Sequence, residues 1–147
     1  MAVIVATSVV VLIALGFWIK SKRSRRLIDE HTITPDGLHA LLVANQEVLI
    51  FDVRQPLDML ADSEIIPGAK RLAPQEVLDN PSLIPREKDS VVYCTCPSDE
   101  SARMVLRRAL GLNIFRAKLL KGGLAAWKAK GYPVEPYTKP FHLDTLA

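Results

Sequence analysis

Two uninterrupted apolar runs, Val48-Leu49-Ile50-Phe51 and Val91-Val92-Tyr93, stand among segments with helical periodicity, and this alternation is the strongest constraint on the fold. A strand that is apolar at successive positions has both faces buried, and a sheet buried on both faces must be covered by helices on each side. The expected architecture is therefore α/β, an open parallel sheet flanked by helices.

The helical segments carry their own signals. Thr34-Pro35-Asp36-Gly37 opens a helix that bears Leu38, Leu41 and Leu42, with Thr34 as N-cap and Pro35 at the first helical position. From Asp99 to Leu110, Ala102, Val105, Leu106, Ala109 and Leu110 fall on one stripe, and Arg103, Arg107 and Arg108 fall mainly outside it. Gly111 should end that helix. Ile114 to Leu120 reads as the next strand, and Leu124 to Lys130 as a short helix closed by Gly131 and Pro133. The tail from residue 137 to 147 has no clear period.

Ahead of this lies a different kind of segment. Ala2 to Ile19 is 18 positions without a charge, roughly 27 Å as a helix and close to the hydrocarbon thickness of a bilayer. Phe17 and Trp18 stand at its end, and Lys20, Lys22, Arg23, Arg25 and Arg26 follow. A cleavable signal peptide has its charge before the apolar run and small residues after it, the reverse of this order. The expectation is one transmembrane helix over residues 1–20, a basic linker over 21–30 and a folded domain over 31–136. The positive-inside rule puts the N-terminus outside and the domain in the cytoplasm, as a single-pass membrane protein.

The same basic cluster accounts for the whole excess of positive charge. The chain has a formal net charge of +3, the first 26 residues contribute +5, and the remainder carries −2. A folded part with no positive excess cannot neutralise phosphates, which removes nucleic acid as a partner. The apolar content and the two cysteines also exclude disordered and disulfide-stapled classes.

Cys94 ends the second apolar run, and the helix starts about five residues later. The segment Cys94, Thr95, Cys96, Pro97, Ser98, Asp99, Glu100, Ser101 is thus a loop feeding a helix N-terminus, the place where an open α/β sheet puts its ligands. Backbone N–H groups there favour a thiolate. Position alone also fits a cysteine that is only a small buried hydrophobe. Asp99 and Glu100 have two readings: charges that raise the pKa of a neighbouring thiolate and repel anionic donors, or first-turn acids that complement the helix dipole behind Ser98 as N-cap.

Taken in order, Asp52-Val53-Arg54, Ile66-Pro67-Gly68-Ala69, Val91-Val92-Tyr93-Cys94, Lys121-Gly122-Gly123-Leu124-Ala125-Ala126-Trp127 and Gly131-Tyr132-Pro133-Val134 resemble a single-domain rhodanese over residues 31 to 136. The resemblance implies a sulfurtransferase whose loop cysteine, here Cys94, takes sulfane sulfur from a donor as a persulfide and passes it to a thiol acceptor. Backbone N–H groups of residues 95 to 100 would form the cradle, and no cofactor is implied. Asp52 and Arg54 would support the loops facing Cys94, Gly122-Gly123 would pass close to the active loop, and Trp127 would lie in the core.

The loop departs from the familiar pattern. It is longer than six residues and has Asp99 and Glu100 where an Arg often stands, with Arg103 one helical turn on as a candidate replacement. A seven-residue loop resembles dual-specificity phosphatases of the same fold, which need Arg at the position Glu100 occupies. Ile65 replaces the family's His. A Cys-x-Cys-Pro followed by Ser-Ala resembles a membrane-associated branch of the rhodaneses. Cys96 is then a candidate resolving thiol that forms a disulfide with Cys94 and releases sulfide, or a loop thiol with no role. A zinc site would need two further ligands, and His31 and His142 lie near opposite ends of the domain, so no metal is expected. Two alternatives to a sulfurtransferase stay open: an interaction module that brings a protein partner to the membrane, and a thiol-disulfide redox protein using Cys94 and Cys96.

Overall fold

The computed structural model describes residues 2–96 and 98–140, without the side chains of residues 2–6. Pro97, His142 and the rest of the tail from 141 lie outside the described residues. The chain divides into two units, Met1–Glu30 and His31–Ala147.

The first unit is one helix, α1 (Ala2–Glu30). The segment expected to be a basic linker is helical instead. Residues 21–30 contain no Gly or Pro, and long charged side chains lose little freedom in a helix, so nothing stops it there. The Lys22 ammonium sits 4.2 Å from the centre of the Trp18 ring, one turn back. Val9 to Ile13, Leu15 and Phe17 to Ile19 are exposed. Among the described residues no helix is long and apolar enough to cross a membrane; the side chains of residues 2–6, part of the uncharged run behind the anchor expectation, lie outside the described set.

The second unit is built on five strands: β1 (Thr32–Ile33), β2 (Val48–Asp52), β4 (Lys70–Arg71), β5 (Asp89–Tyr93) and β6 (Ala117–Leu120), in the spatial order β1-β6-β5-β2-β4. Every pairing in this sheet is parallel. The two apolar runs are the neighbouring central strands, paired from Val48 with Asp89 to Asp52 with Tyr93. The expected parallel α/β architecture is present. Strand β6 starts at Ala117, three residues later than its apolar pattern suggested: Ile114 is buried, but its N–H donates back to the Ala109 carbonyl of α5 and not to a neighbouring strand.

Two short strands, β3 (Glu64–Ile65) and β7 (Glu135–Pro136), form a separate antiparallel pair. Neither carries an apolar pattern, and their pairing joins residues some 70 positions apart, so no local signal marks them.

Helix α2 (Pro35–Val43) begins as expected, with the Thr34 hydroxyl accepting the Gly37 N–H at 3.1 Å. Helices α3 (Pro56–Ala61) and α4 (Pro74–Asp79) also start on proline, although sequence reasoning named neither. Helix α5 (Glu100–Gly111) buries all five residues of the expected stripe and exposes Arg107 and Arg108. It ends at Gly111, but the left-handed residue beyond is Asn113, at φ 61°. Helix α6 (Gly123–Ala129) places Trp127 in the core with Leu38, Ile50, Ile66, Val91, Tyr93, Leu120 and Leu124. The indole N–H donates to the Pro133 carbonyl at 2.8 Å, which satisfies its one polar atom.

Candidate active site at the end of the central strand

Cys94 follows the last residue of β5, at the carboxyl end of a central parallel strand, and the loop it opens leads into α5. The backbone around it is fixed from two sides. The Cys94 carbonyl accepts the Leu124 N–H at 3.0 Å, and a Cβ on Gly123 would lie 2.1 Å from that same oxygen. Gly123 also has φ +57°, so only glycine allows α6 to begin this close to the loop. The expected close approach of Gly122-Gly123 is therefore real.

The two free thiols meet. Cys94 is buried, Cys96 is half-buried, and their Sγ atoms are 3.3 Å apart. Burial pushes the Cys94 thiol up to about 12, with its contact to Cys96 adding to the rise and the Ala102 N–H opposing it. Burial acts the same way on Cys96, but the Ser101 N–H and hydroxyl, with Cys94, outweigh it and hold Cys96 below the ordinary thiol range. Ser101 Oγ is 3.6 Å from Cys96 Sγ. Of the two thiols, Cys96 is thus the more readily deprotonated.

The N–H groups that stabilise the sulfurs belong to Cys96, Ser101 and Ala102. Cys96 lies within the loop expected as the cradle, and Ser101 and Ala102 belong to the first turn of α5. Thr95 is half-buried, and Pro97 lies outside the described residues.

Asp99 and Glu100 part company. Asp99, not Ser98, is the N-cap of α5; it sits at φ 53° and makes no side-chain cap. Its carboxylate is buried and accepts the Gly122 N–H at 3.1 Å, which ties the loop to the glycine turn. Burial raises its pKa, against the Gly122 N–H and the charge of Arg103. Glu100 is an exposed first-turn acid, with Arg107 3.7 Å away. The rise at Cys94 comes from burial and from Cys96 rather than from either carboxylate. Arg103 directs its Nε to the Ser98 carbonyl at 3.1 Å and so braces the loop backbone.

Asp52, the last residue of β2, forms a buried ion pair with Arg54. Arg54 Nε lies 2.9 Å from both Asp52 oxygens, and its Nη1 and Nη2 donate to the carbonyls of Asp62 and Glu64 at 2.7 Å each. The Tyr93 hydroxyl donates to Asp52 Oδ2 at 3.0 Å and accepts the Ile66 N–H at 3.2 Å. The apolar run marks Tyr93 only as a strand residue; a phenol at the end of an aliphatic strand needs a partner, and that is the available signal. These bonds fasten the residue before Cys94 to β2 and to the segment from 62 to 66. Ile65 is buried in the small sheet. Among the described residues, no three or more His, Cys, Asp or Glu side chains are grouped to hold a metal ion.

A family model described as a rhodanese-like domain matches residues 34–130. The chain belongs to the rhodanese-like family. A sulfurtransferase from Allochromatium vinosum is 28% identical over 104 residues, covering 69% of this chain and 92% of the relative. A rhodanese-like domain protein from Staphylococcus aureus matches with a TM-score of 0.59 and 25% identity, over 73% of this chain and 98% of that one. A full-length protein from Lactobacillus plantarum has a TM-score of 0.66 at 22% identity, covering 80% and 97%, and shares the fold. In this rhodanese-like chain the loop cysteine has a second sulfur in contact with it.

Proposed function

We propose that this protein is a sulfurtransferase that carries sulfane sulfur as a persulfide on Cys94. The observation behind this reading is a buried cysteine directly after a central parallel strand, in the loop that runs into the N-terminus of α5. The relative from Allochromatium vinosum, itself called a sulfurtransferase, supports the same activity. In the reaction a thiolate attacks the outer sulfur of the donor, the donor S–S bond breaks, and the electron pair leaves with the donor remnant. An acceptor thiol later attacks the sulfane sulfur and regenerates the cysteine. The cradle N–H groups stabilise the negative persulfide. Site-resolved mass spectrometry after exposure to thiosulfate or a neutral persulfide donor tests it: one added sulfur mapped to Cys94 in the wild type, and none at position 94 in Cys94→Ser, is expected. An unmodified Cys94 with both donors would overturn it.

The 3.3 Å contact between the sulfurs favours one second reading, a thiol-disulfide redox protein with Cys96 as resolving thiol. A Cys94–Cys96 disulfide that forms reversibly, with no persulfide stage, would mark that chemistry.

The uncharged run from Ala2 to Ile19, the basic cluster after it and the exposed side chains from Val9 to Ile19 support membrane anchoring through the first unit, with the rhodanese-like domain in the cytoplasm. The full chain should then resist extraction from membranes by alkaline carbonate. Release into the soluble fraction, or a C-terminal reporter active only outside the cytoplasm, would contradict this placement.

A further inference from the structure

Cys94 is fully buried, while Cys96 is partly open to solvent and in contact with it. A donor therefore reaches Cys96 more easily than the residue that stores the sulfur. Cys96, with the Ser101 hydroxyl 3.6 Å from its sulfur, is also the more readily deprotonated of the two, and the thiolate is the form that attacks.

We infer that sulfane sulfur is loaded first onto Cys96 and relayed inward to Cys94, so that the two cysteines act in series. This rests on the sulfurtransferase reading and assigns Cys96 the role of attacking thiol. In the first step the Cys96 thiolate attacks the outer sulfur of a persulfide donor, R–S–SH. The donor S–S bond breaks, and R–S⁻ leaves with the electron pair and takes up a proton from water. In the second step Cys94 Sγ attacks the sulfane sulfur on Cys96. The Cys96 S–S bond breaks, a Cys94 S–S bond forms, and the thiol proton of Cys94 passes to Cys96 Sγ. Neither step changes the oxidation count of the protein, and no oxidant or reductant is needed. The reverse exchange returns the sulfur to Cys96, where an acceptor thiol can take it. Buried Cys94 is then a protected store, screened from water and from stray thiols.

Site-resolved mass spectrometry of the full chain, quenched at short times after mixing with a neutral persulfide donor, tests the order of loading. In Cys94→Ser the added sulfur should be trapped on Cys96. In Cys96→Ser and in Cys96→Ala, both shown to be folded by circular dichroism, loading of Cys94 should be at least about tenfold slower than in the wild type, because the more accessible thiol is gone. Wild-type loading of Cys94 in the Cys96 variants, or no sulfur on Cys96 in Cys94→Ser, would overturn the relay and leave the sulfurtransferase reading intact. Rapid formation of a Cys94–Cys96 disulfide with release of one sulfide would overturn it in favour of redox chemistry. Absence of added sulfur in every form of the protein would overturn both readings together.

Discussion

The Gly122 N–H donates to the buried Asp99 carboxylate at 3.1 Å and joins the turn before α6 to the loop that carries both cysteines. Asp99→Ala leaves that N–H without its acceptor and places Ala in a left-handed conformation, at a cost of about 1–3 kcal/mol. Asp99→Asn keeps an acceptor oxygen and tolerates the same backbone, so it should restore most of the lost stability and sulfur loading. Thermal unfolding and loading rates of the two variants check this, and equal losses in both would contradict the positioning role.

The same carboxyl has a signature in pH. Its folded-state pKa is raised above 3.8 by burial, so the charged form is penalised in the folded protein. That penalty is present above the folded pKa, declines as pH falls through it, and is gone below the unfolded value. Denaturant unfolding at several pH values should therefore show the wild type gaining stability relative to Asp99→Asn on acidification through this window. A gap that moves the other way would contradict the raised pKa.

Gly123 and Gly131 both have positive φ, but their surroundings differ. A Cβ at Gly123 meets the Cys94 carbonyl at 2.1 Å, while one at Gly131 meets nothing within 4 Å. Gly131→Ala should cost about 1–2 kcal/mol from the left-handed backbone alone. Gly123→Ala should cost more and also slow sulfur loading, since the clash pushes on the residue that bears the sulfur. Similar melting temperatures for the two variants would contradict the close approach.

Arg54 and Asp52 are both fully buried and bonded to each other. Arg54→Met strands the Asp52 charge and should cost about 3–5 kcal/mol in denaturant unfolding. Tyr93→Phe removes the acceptor for the Ile66 N–H and should cost about 1–3 kcal/mol. A neutral result for Arg54→Met would show that the pair does not hold the strand end.

Alkylation should separate the thiols. With Cys96 below the ordinary thiol range and Cys94 up to about 12, iodoacetamide near neutral pH should label Cys96 first and leave Cys94 largely intact. Labelling read by peptide mass spectrometry in the opposite order would overturn the assignment of charge to Cys96.

The sequence by itself determined the central strands, the α5 stripe, the capped start of α2 and the position of a cysteine loop at a strand end. Each of these is written in neighbours a few residues apart, through periodicity, capping or a continuous apolar run. Pro56 and Pro74 carry only half of the start signal at Pro35, because Gln55 and Ala73 stand where Thr34 supplies a capping hydroxyl. The close approach of Gly122-Gly123 was legible too, because glycine pairs mark backbone that must pass where a side chain cannot.

Only the tertiary structure decided the rest. Asp99 and Glu100 are adjacent and chemically alike, yet one is buried against a turn 23 residues away and the other faces solvent; no local pattern separates them. The Tyr93 hydroxyl finds Asp52 on the neighbouring strand, 41 positions back in the chain, and β3 finds β7 across most of the domain. The difference between the two cysteines has the same origin. Their spacing allows contact, but burial and the N–H groups of the first turn of α5 set which sulfur is shielded and which is charged, and those depend on packing between segments that the chain brings together only on folding.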